Sequence, residues 1–282
     1  MQKKQNRIGK SSKIVDTIFG NTRFYSKIIG PEANKLCKKY KDPDLIKNFS
    51  EMQNRFICLM PMALCESIVK DLGKKCDKEV LAAIGLCSFP IGTHDDVVDE
   101  MPKDRRDVAA LTYSGNIAGL EGMRILFDKN KPLVAQALID TINQNHFRQQ
   151  RVVDLLWEGK KITKERYLEG IHHIIDFTSI GLLAGVAEAE RPDLRKRMML
   201  FSEGYGPVIQ VIDDLREVDE DKTTTYKSFA VIEGRPYVQT FKIGFDGIEK
   251  ARKNIMPNWK NMNKIVDNAE RFLKGLEVKL NG

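Results

Sequence analysis

The sequence lacks the features that mark several classes of protein. No apolar run reaches the roughly 18 residues that a membrane-spanning helix needs. The basic start, MQKKQNRIGKSSK, has no apolar segment behind it, so we expect no secretory signal. Alternating strand patterns, internal repeats, linkers and low-complexity tracts are also missing. These absences predict one all-α domain over residues 1–282, with a basic, flexible tail at 1–14.

Cysteine is scarce, and no two cysteines are spaced as a metal or redox pair. The chain has five, without a CxxC motif. An odd number of scattered cysteines in helical sequence favours reduced thiols over disulfides or a zinc site. We therefore expect a cytoplasmic protein with buried, reduced thiols at Cys37, Cys58, Cys65, Cys76 and Cys87.

The charge is moderately basic, because 46 Lys and Arg outnumber 39 Asp and Glu for a formal net charge of +7. The basic residues are spread along the chain and are densest at 3–13 and 250–264. Nucleic-acid binding would need them clustered on one element with aromatic or glycine-rich interleaving, so we expect no nucleic-acid partner. A dispersed basic surface would instead attract diphosphates and could make peripheral contact with an anionic membrane surface.

Helical periodicity extends through nearly the whole chain and predicts a bundle of long helices. The predicted helices cover 46–70 with a kink at Pro61, a buried helix ending at Asp99, 107–128, 132–157, 164–189, one or two helices over 192–217, and 263–280.

The most informative stretch is a charge-free segment that ends in acids. Residues 80–93 (VLAAIGLCSFPIGT) carry no charged side chain, which predicts a helix buried on all sides. Segment 94–99 (HDDVVD) follows directly. On a helix, Asp95 and Asp99 lie one turn apart on one face, with Asp96 beside them. Ionised carboxylates at the end of a buried helix need a partner or a bound cation.

The same pattern recurs about half a chain later. Residues 204–212 (GYGPVIQVI) are free of charge and are followed by segment 213–217 (DDLRE). Asp213 and Glu217 repeat the one-turn spacing, and Asp221 extends the same face. Two such clusters facing each other would repel and would require cations between them. Oxygen ligands suit Mg²⁺, which binds few carboxylates, several waters and substrate phosphates. The two motifs together predict a diphosphate–Mg²⁺ site.

These motifs resemble a known family. Segment 95–99 (DDVVD), followed by Arg105 and Arg106, resembles the first aspartate-rich motif of the trans-isoprenyl diphosphate synthases, the polyprenyl synthetase superfamily. Segment 209–217 (IQVIDDLRE) resembles their second motif, FQxxDDxxD, and the resemblance extends over about 54–236. It implies a single-domain isoprenoid-synthase helical bundle with a central cavity, usually a homodimer. Two or three Mg²⁺ ions would ionise an allylic prenyl diphosphate there.

The resemblance also implies roles for individual residues. In a second reading of the second motif, as the metal motif of a terpene cyclase, the ligands are Asp213, Glu217 and Asp221. The implied metal ligands are Asp95, Asp96, Asp99, Asp213, Asp214, Glu217 and Asp221, of which Asp95, Asp99 and Asp213 would be the catalytic residues. The implied diphosphate-binding residues are Arg105, Arg106, Thr178, Gln210 and Lys227.

The pocket for the prenyl tail is predicted from the same resemblance. The family often places aromatic residues at the fourth and fifth positions before the first motif, where this chain has Ile91 and Pro90. This predicts a deep pocket for C15 to C20 tails with Phe89 as a floor. The expected pocket residues are Ile84, Cys87, Ser88, Phe89, Ile91, Phe177 and Ile209.

The chain departs from the family at the acceptor site. Elongating members hold isopentenyl diphosphate with a GGKRxRP-like segment, of which only Arg55 remains in 54–61 (NRFICLMP). The family's Lys-Thr pair is Phe177-Thr178 here, and its GKxxxD loop is missing. The leading hypothesis is therefore a terpene synthase, a lyase that closes or quenches the cation without isopentenyl diphosphate. The alternatives are a prenyltransferase that uses isopentenyl diphosphate or another acceptor, and a non-catalytic partner subunit of a prenyl synthase.

Overall fold

The fold was described from a computed structural model. It covers residues 16–20, 22–100, 104–157, 163–221 and 228–281, except for the side chains of 98–100, 151–157, 217, 220 and 221. Within these ranges the chain is helical and has no β-strand, as predicted. The helices are α1 (Thr22–Lys39), α2 (Pro43–Glu51), α3 (Phe56–Asp71), α4 (Lys78–Glu100), α5 (Arg105–Asp128), α6 (Pro132–Trp157), α7 (Lys164–Gly170), α8 (His172–Glu188), α9 (Arg195–Asp221), α10 (Phe229–Glu233), α11 (Val238–Arg252) and α12 (Lys260–Asn281).

Helix α8 is the centre of the bundle and packs against α3, α6 and α9. Its residues from Ile175 to Val186 are all buried. The approach to α3 is close: a Cβ added at Gly181 would lie 2.2 Å from the carbonyl oxygen of Pro61. The stretch Lys164–Glu188 has the length and composition to cross a membrane, but 72% of its apolar part is buried inside the structure. It is therefore a core element of this bundle.

Helices α4 and α5 form another close pair. A Cβ added at Gly115 would lie 2.2 Å from Thr93 Oγ1, and one at Gly122 would lie 2.6 Å from Cys87 Sγ. Glycine at these positions lets α5 approach the buried part of α4. This packing supports the segment from which the first acidic motif extends.

Two predicted helices are interrupted in the structure. The predicted helix 46–70 was wrong: Arg55 has extended backbone angles (φ −80°, ψ 131°) and separates α2 and a short 3₁₀ turn from α3. Pro61, the predicted kink, lies inside α3. The stretch 164–189 is divided at Ile171 into α7 and α8. The last helix begins at Lys260, slightly before its predicted start.

The cysteines form no disulfide. Cys58, Cys65, Cys76 and Cys87 are buried, and Cys37 is half-buried. The closest pair, Cys65 and Cys76, has its sulfur atoms 3.9 Å apart, which is beyond bonding distance. Burial raises the pKa of the Cys58 and Cys87 thiols to about 12, so these thiols are protonated at neutral pH.

Candidate active site

The first acidic pair lies near the C-terminal end of α4, where Asp95 is exposed and Asp96 is half-buried. The Arg55 guanidinium forms an ion pair with the Asp96 carboxylate, and the Arg55 side chain is only 13% exposed. Arg55 Cζ lies 5.5 Å from the centre of the Phe89 ring. Burial acts to lower the pKa of Arg55, but the neighbouring Asp96 outweighs it and raises the pKa overall. This arginine is therefore a fixed cation beneath the motif.

A second helix also reaches the first acidic pair. Gln149 Nε2 on α6 lies 3.4 Å from Asp95 Oδ1 and can donate a long hydrogen bond to it. The ring of His94 lies 5.0 Å from the ring of His146, also on α6. Burial lowers the pKa of both histidines, which favours neutral imidazoles. His94 therefore belongs to the contact between α4 and α6.

The second acidic pair lies near the C-terminal end of α9 and likewise has one exposed and one less accessible carboxylate. Asp213 is exposed, and its Oδ1 lies 3.9 Å from Arg216 Nη1. Asp214 is buried: its Oδ2 accepts a hydrogen bond of 2.8 Å from the Tyr167 hydroxyl, and its Oδ1 accepts one of 2.7 Å from Gln210 Nε2. Tyr167 and Gln210 thus both hold the Asp214 carboxylate.

Each described pair therefore combines one exposed carboxylate with one that is half-buried or buried. Asp95 and Asp213 are the exposed members, whereas Asp96 and Asp214 are held by Arg55 and by Tyr167 with Gln210. A metal ion can approach the exposed members with little desolvation. Among the described residues no group of three His, Cys, Asp or Glu side chains could hold a metal. The side chains of Asp99, Glu217 and Asp221 and the whole of Lys227 lie outside the described part.

The first acidic pair is connected to the N-terminal end of α8, and the second to α7, the helix that precedes it. Gln149 contacts Asp95, and the preceding residue, Arg148, donates from Nη1 to Asp176 Oδ1 on α8 at 3.0 Å. On the other side, Asp214 accepts from Tyr167 on α7, which ends just before α8 begins. The described contacts of the two acidic pairs therefore lead to the region where α7 ends and α8 begins.

Three of the predicted diphosphate-binding residues that the structure describes have protein partners: Arg106, Thr178 and Gln210. Asp104 caps α5 and accepts from the backbone N–H of Arg106 at 2.7 Å, so Arg105 and Arg106 begin a helix and do not lie in a loop. Both are exposed, and Arg106 Nε donates to Asp44 Oδ2 on α2 at 2.7 Å. The Thr178 hydroxyl donates to the Ile174 carbonyl oxygen at 2.8 Å.

The predicted pocket residues are all buried. Phe89 lies below Arg55, and the Phe177 ring lies 6.1 Å from the Phe56 ring at an interplanar angle of 49°. The Ser88 hydroxyl donates to the Ile84 carbonyl oxygen at 2.8 Å. The depth of the pocket and the preference for C15 to C20 tails stay predictions. The buried set is Ile84, Cys87, Ser88, Phe89, Ile91, Phe177 and Ile209.

The sequence analysis missed the partners of the motif residues and one buried ion pair. Asp176 is fully buried and pairs with Arg148, whose side chain is 31% exposed. Burial raises the pKa of Asp176 to about 6, although Arg148 acts to lower it. The signal was present in the sequence, because Asp176 is the one charged residue in the apolar segment 174–187. Tyr167 and Gln149 had no comparable signal.

Comparison with solved structures gives full-length matches. The chain matches a geranyltranstransferase from Thermotoga maritima with a TM-score of 0.70 at 11% identity, covering 91% of this chain and 99% of that chain. A decaprenyl diphosphate synthase from Rhodobacter capsulatus matches with a TM-score of 0.68 at 14% identity, over 94% and 99% of the two chains. A polyprenyl synthase from Caulobacter crescentus, complexed with calcium and isoprenyl diphosphate, matches with a TM-score of 0.53 at 13% identity, over 93% and 97%.

The sequence matches no protein-family model and no curated protein. Identities of 11% to 14% with solved structures demonstrate a common fold and leave the reaction to be argued from the site. Each match extends over more than nine-tenths of both chains, so the likeness covers the whole helical bundle and not one part of it. The chain therefore has the all-α fold of the trans-isoprenyl diphosphate synthases, in one domain.

Proposed function

We propose that this protein is a Mg²⁺-dependent isoprenoid synthase that ionises an allylic prenyl diphosphate and transfers the prenyl group to an acceptor. The observation that carries the proposal is the pair of acidic helix ends, on α4 and α9, whose described contacts lead to the start of α8 and to the adjoining α7. Prenyl transfer is favoured over cyclisation because the compared structures are named as prenyltransferases or prenyl diphosphate synthases.

The donor set fits magnesium. Asp95 and Asp213 offer exposed carboxylate oxygens, and Mg²⁺ completes its shell with waters and substrate phosphates. Asp99, Glu217 and Asp221 are further proposed ligands on the same helix ends. Bound there, the ions would neutralise the charge that develops on the leaving diphosphate. The protein's own contribution is to hold Asp96 and Asp214 through fixed donors, so that the exposed carboxylates stay oriented.

The cationic residues would bind and orient the diphosphate. We propose Arg105, Arg106 and Lys227 for this role, since guanidinium groups suit two-point contact with phosphate oxygens. The ion pair between Arg106 and Asp44 would have to exchange for the substrate. It is exposed, so exchange costs little. Gln210 and Thr178 are proposed to act near the allylic end, with Gln210 also holding Asp214.

A terpene synthase is the second candidate, and one observation favours it. Arg55, the single basic residue left in the segment where elongating enzymes bind isopentenyl diphosphate, is already paired with Asp96. Phe177 occupies the position of a diphosphate-facing lysine, and its ring packs near Phe56. Aromatic faces stabilise cations, which suits a reaction that closes or quenches a carbocation.

One assay separates these candidates. The purified chain is incubated with Mg²⁺ and C10, C15 or C20 allylic diphosphates, with and without labelled isopentenyl diphosphate, and diphosphate release and products are measured. Label in a longer diphosphate identifies chain elongation and rejects the terpene synthase. Hydrocarbon formed without the second substrate identifies a terpene synthase. Absence of Mg²⁺-dependent diphosphate release from every substrate would reject both and would favour a non-catalytic subunit.

We also propose that the protein is a cytoplasmic homodimer. Helix α5 exposes Tyr113, Leu120 and Phe127 at intervals of seven residues, and α6 exposes Leu133 and Phe147 beside it. Aromatic side chains cover roughly 150–250 Å² each when buried, so the three rings with the two leucines supply a large part of the roughly 800 Å² per partner of a standard interface. Heptad spacing on α5 suits packing against a second copy of the same helix.

A further inference from the structure

The interface between α6 and α8 contains buried polar side chains that the proposed reaction has not yet used. Asp176 on α8 and Asn145 on α6 are both fully buried. Asp176 Oδ1 accepts a hydrogen bond of 3.0 Å from Arg148 Nη1. Asn145 Nδ2 donates one of 2.6 Å to the carbonyl oxygen of His173. Each side chain thus has one atom firmly engaged.

The remaining oxygen of each side chain has no donor among the described residues. These atoms are Asp176 Oδ2 and Asn145 Oδ1, and both are inaccessible to solvent. Asn145 and Arg148 are one turn apart on α6, and His173 and Asp176 are one turn apart on α8. Both acceptor oxygens therefore lie at the α6–α8 interface, where the two contacts are about one helical turn apart, and we call this region the polar layer. Buried acceptors call for a donor, so this layer selects a group that donates hydrogen bonds and not a phosphate.

The layer lies at the active end of the bundle. Arg148, which holds Asp176, is followed by Gln149, which contacts Asp95 of the first acidic motif. Asp176 is followed on α8 by Phe177, whose ring packs near Phe56 at the start of α3. A ligand in this layer would therefore lie close to the place where the prenyl cation is proposed to form.

The arginine in the segment where elongating enzymes hold a second diphosphate is engaged elsewhere. Arg55 is paired with Asp96, and both side chains are largely buried. The sequence also has Phe177 where elongating relatives have a lysine. A neutral acceptor needs neither cation.

We propose that Asp176 and Asn145 bind a hydroxyl group, from water or from an alcohol, as the acceptor of the prenyl cation. This inference rests on the ionisation step of the proposed function and names the group that receives the prenyl cation. The C–O bond to the diphosphate breaks, and its electron pair leaves with the diphosphate. The hydroxyl oxygen forms a new C–O bond, its O–H bond breaks, and the proton passes to the Asp176 carboxylate and then to solvent. The products are a prenyl alcohol or a prenyl ether, diphosphate and a proton.

The acidity of Asp176 suits this role. Burial raises its pKa to about 6, so the carboxylate is ionised near neutral pH and is still a usable base. Arg148 on α6 is the charged group that faces it and acts to lower the pKa. His172 and His173 on α8 and His146 on α6 lie within about a turn of this layer, and the pKa of each is lowered mainly by burial.

The test uses the full chain with Mg²⁺ and a C15 allylic diphosphate in water enriched in ¹⁸O, with and without a short primary alcohol. Mass spectrometry identifies the oxygen product, and released diphosphate is measured separately. We expect ¹⁸O in a prenyl alcohol, or an ether when the alcohol is the preferred acceptor. In the wild type we expect formation of the oxygen product to increase as Asp176 ionises near pH 6. Asp176→Asn should lower the ratio of oxygen product to released diphosphate at least tenfold and should remove this increase. Asn145→Ala serves the same purpose if Asp176→Asn does not fold.

Asp193→Asn is the matched control, because Asp193 is an exposed aspartate paired with Arg191. It should leave both the product ratio and the pH profile unchanged. An unchanged product ratio in Asp176→Asn, or label from isopentenyl diphosphate in a longer diphosphate with no oxygen product, would overturn the hydroxyl site while leaving the proposed function standing. Failure of the wild-type chain to release any diphosphate would overturn both.

Discussion

The guanidinium of Arg55 is paired with the carboxylate of Asp96, which joins the start of α3 to the acidic end of α4. Arg55 interrupts the helical pattern with extended backbone angles, and the same residue provides the cation beneath the first motif. The positive charge that remains in this segment is thus used to hold a motif residue. This contact links the break between α2 and α3 to the geometry of the site.

The first prediction concerns this pair. Arg55→Gln and Asp96→Asn should each lower the free energy of unfolding by about 2–4 kcal/mol, because each leaves a largely buried partner uncompensated. The double variant should lose less than the sum, by about 1 kcal/mol or more. Urea denaturation of the four proteins measures the coupling. The exposed pair Arg191 and Asp193 is the control and should show coupling below about 1 kcal/mol. Additive effects at Arg55 and Asp96 would contradict the pairing.

The second prediction concerns the exposed carboxylates. Asp95→Asn and Asp213→Asn should each reduce Mg²⁺-dependent diphosphate release by about 10²–10³-fold, the usual loss when one electrostatic contributor is removed from a transition state. Their helical circular dichroism should stay the same, since both side chains are exposed. Asp140→Asn, an exposed aspartate on α6, is the control. A variant at Asp95 or Asp213 that keeps half of the wild-type rate would remove its assignment as a metal ligand.

The acidic helix ends could be predicted from the sequence because a charge-free segment followed by acids is a local pattern. The break at Arg55 could not, since apolar periodicity continues from α2 into α3 on both sides of it. The partners of Asp214 show a second limit. Gln210 is one turn away on α9, but Tyr167 is 47 residues earlier and reaches Asp214 only because α7 and α9 meet in the fold.

The third prediction concerns this contact. Tyr167→Phe removes a hydrogen-bond donor from a buried carboxylate and should lower the free energy of unfolding by about 1–3 kcal/mol. Urea denaturation measures the loss. Tyr113→Phe is the matched control, because Tyr113 is 61% exposed and should change stability by no more than about 0.5 kcal/mol. Equal effects at the two tyrosines would show that the hydrogen bond to Asp214 contributes nothing specific.

The fourth prediction concerns the proposed homodimer. Leu120→Glu places a charge in the middle of the exposed stripe on α5, where Leu120 is 72% exposed. We expect a monomer, because a charge buried in an apolar interface has no partner there. Analytical ultracentrifugation measures the mass. Val278→Glu, at an exposed apolar position on α12, is the control and should leave the dimer intact. A wild-type chain that is monomeric at micromolar concentration would contradict the interface.

The last prediction concerns the effect of Asp176 on stability as a function of pH. Its pKa is raised from 3.8 to about 6 in the folded protein, so the folded state binds more protons than the unfolded state between these values. The contribution of Asp176 to the free energy of unfolding therefore falls as pH rises through that window. The full destabilisation is reached above about pH 7. Two pKa units correspond to about 3 kcal/mol, with the attraction of Arg148 already included in the net shift.

Asp176→Asn removes the charge, so its stability relative to the wild type should rise by roughly 1–3 kcal/mol between about pH 4 and pH 8. Urea denaturation at the two pH values measures this difference, and Asp193→Asn should show a small change of opposite sign because the Arg191 partner lowers the pKa of Asp193. A difference between Asp176→Asn and the wild type that does not vary with pH would mean that Asp176 titrates normally in the fold.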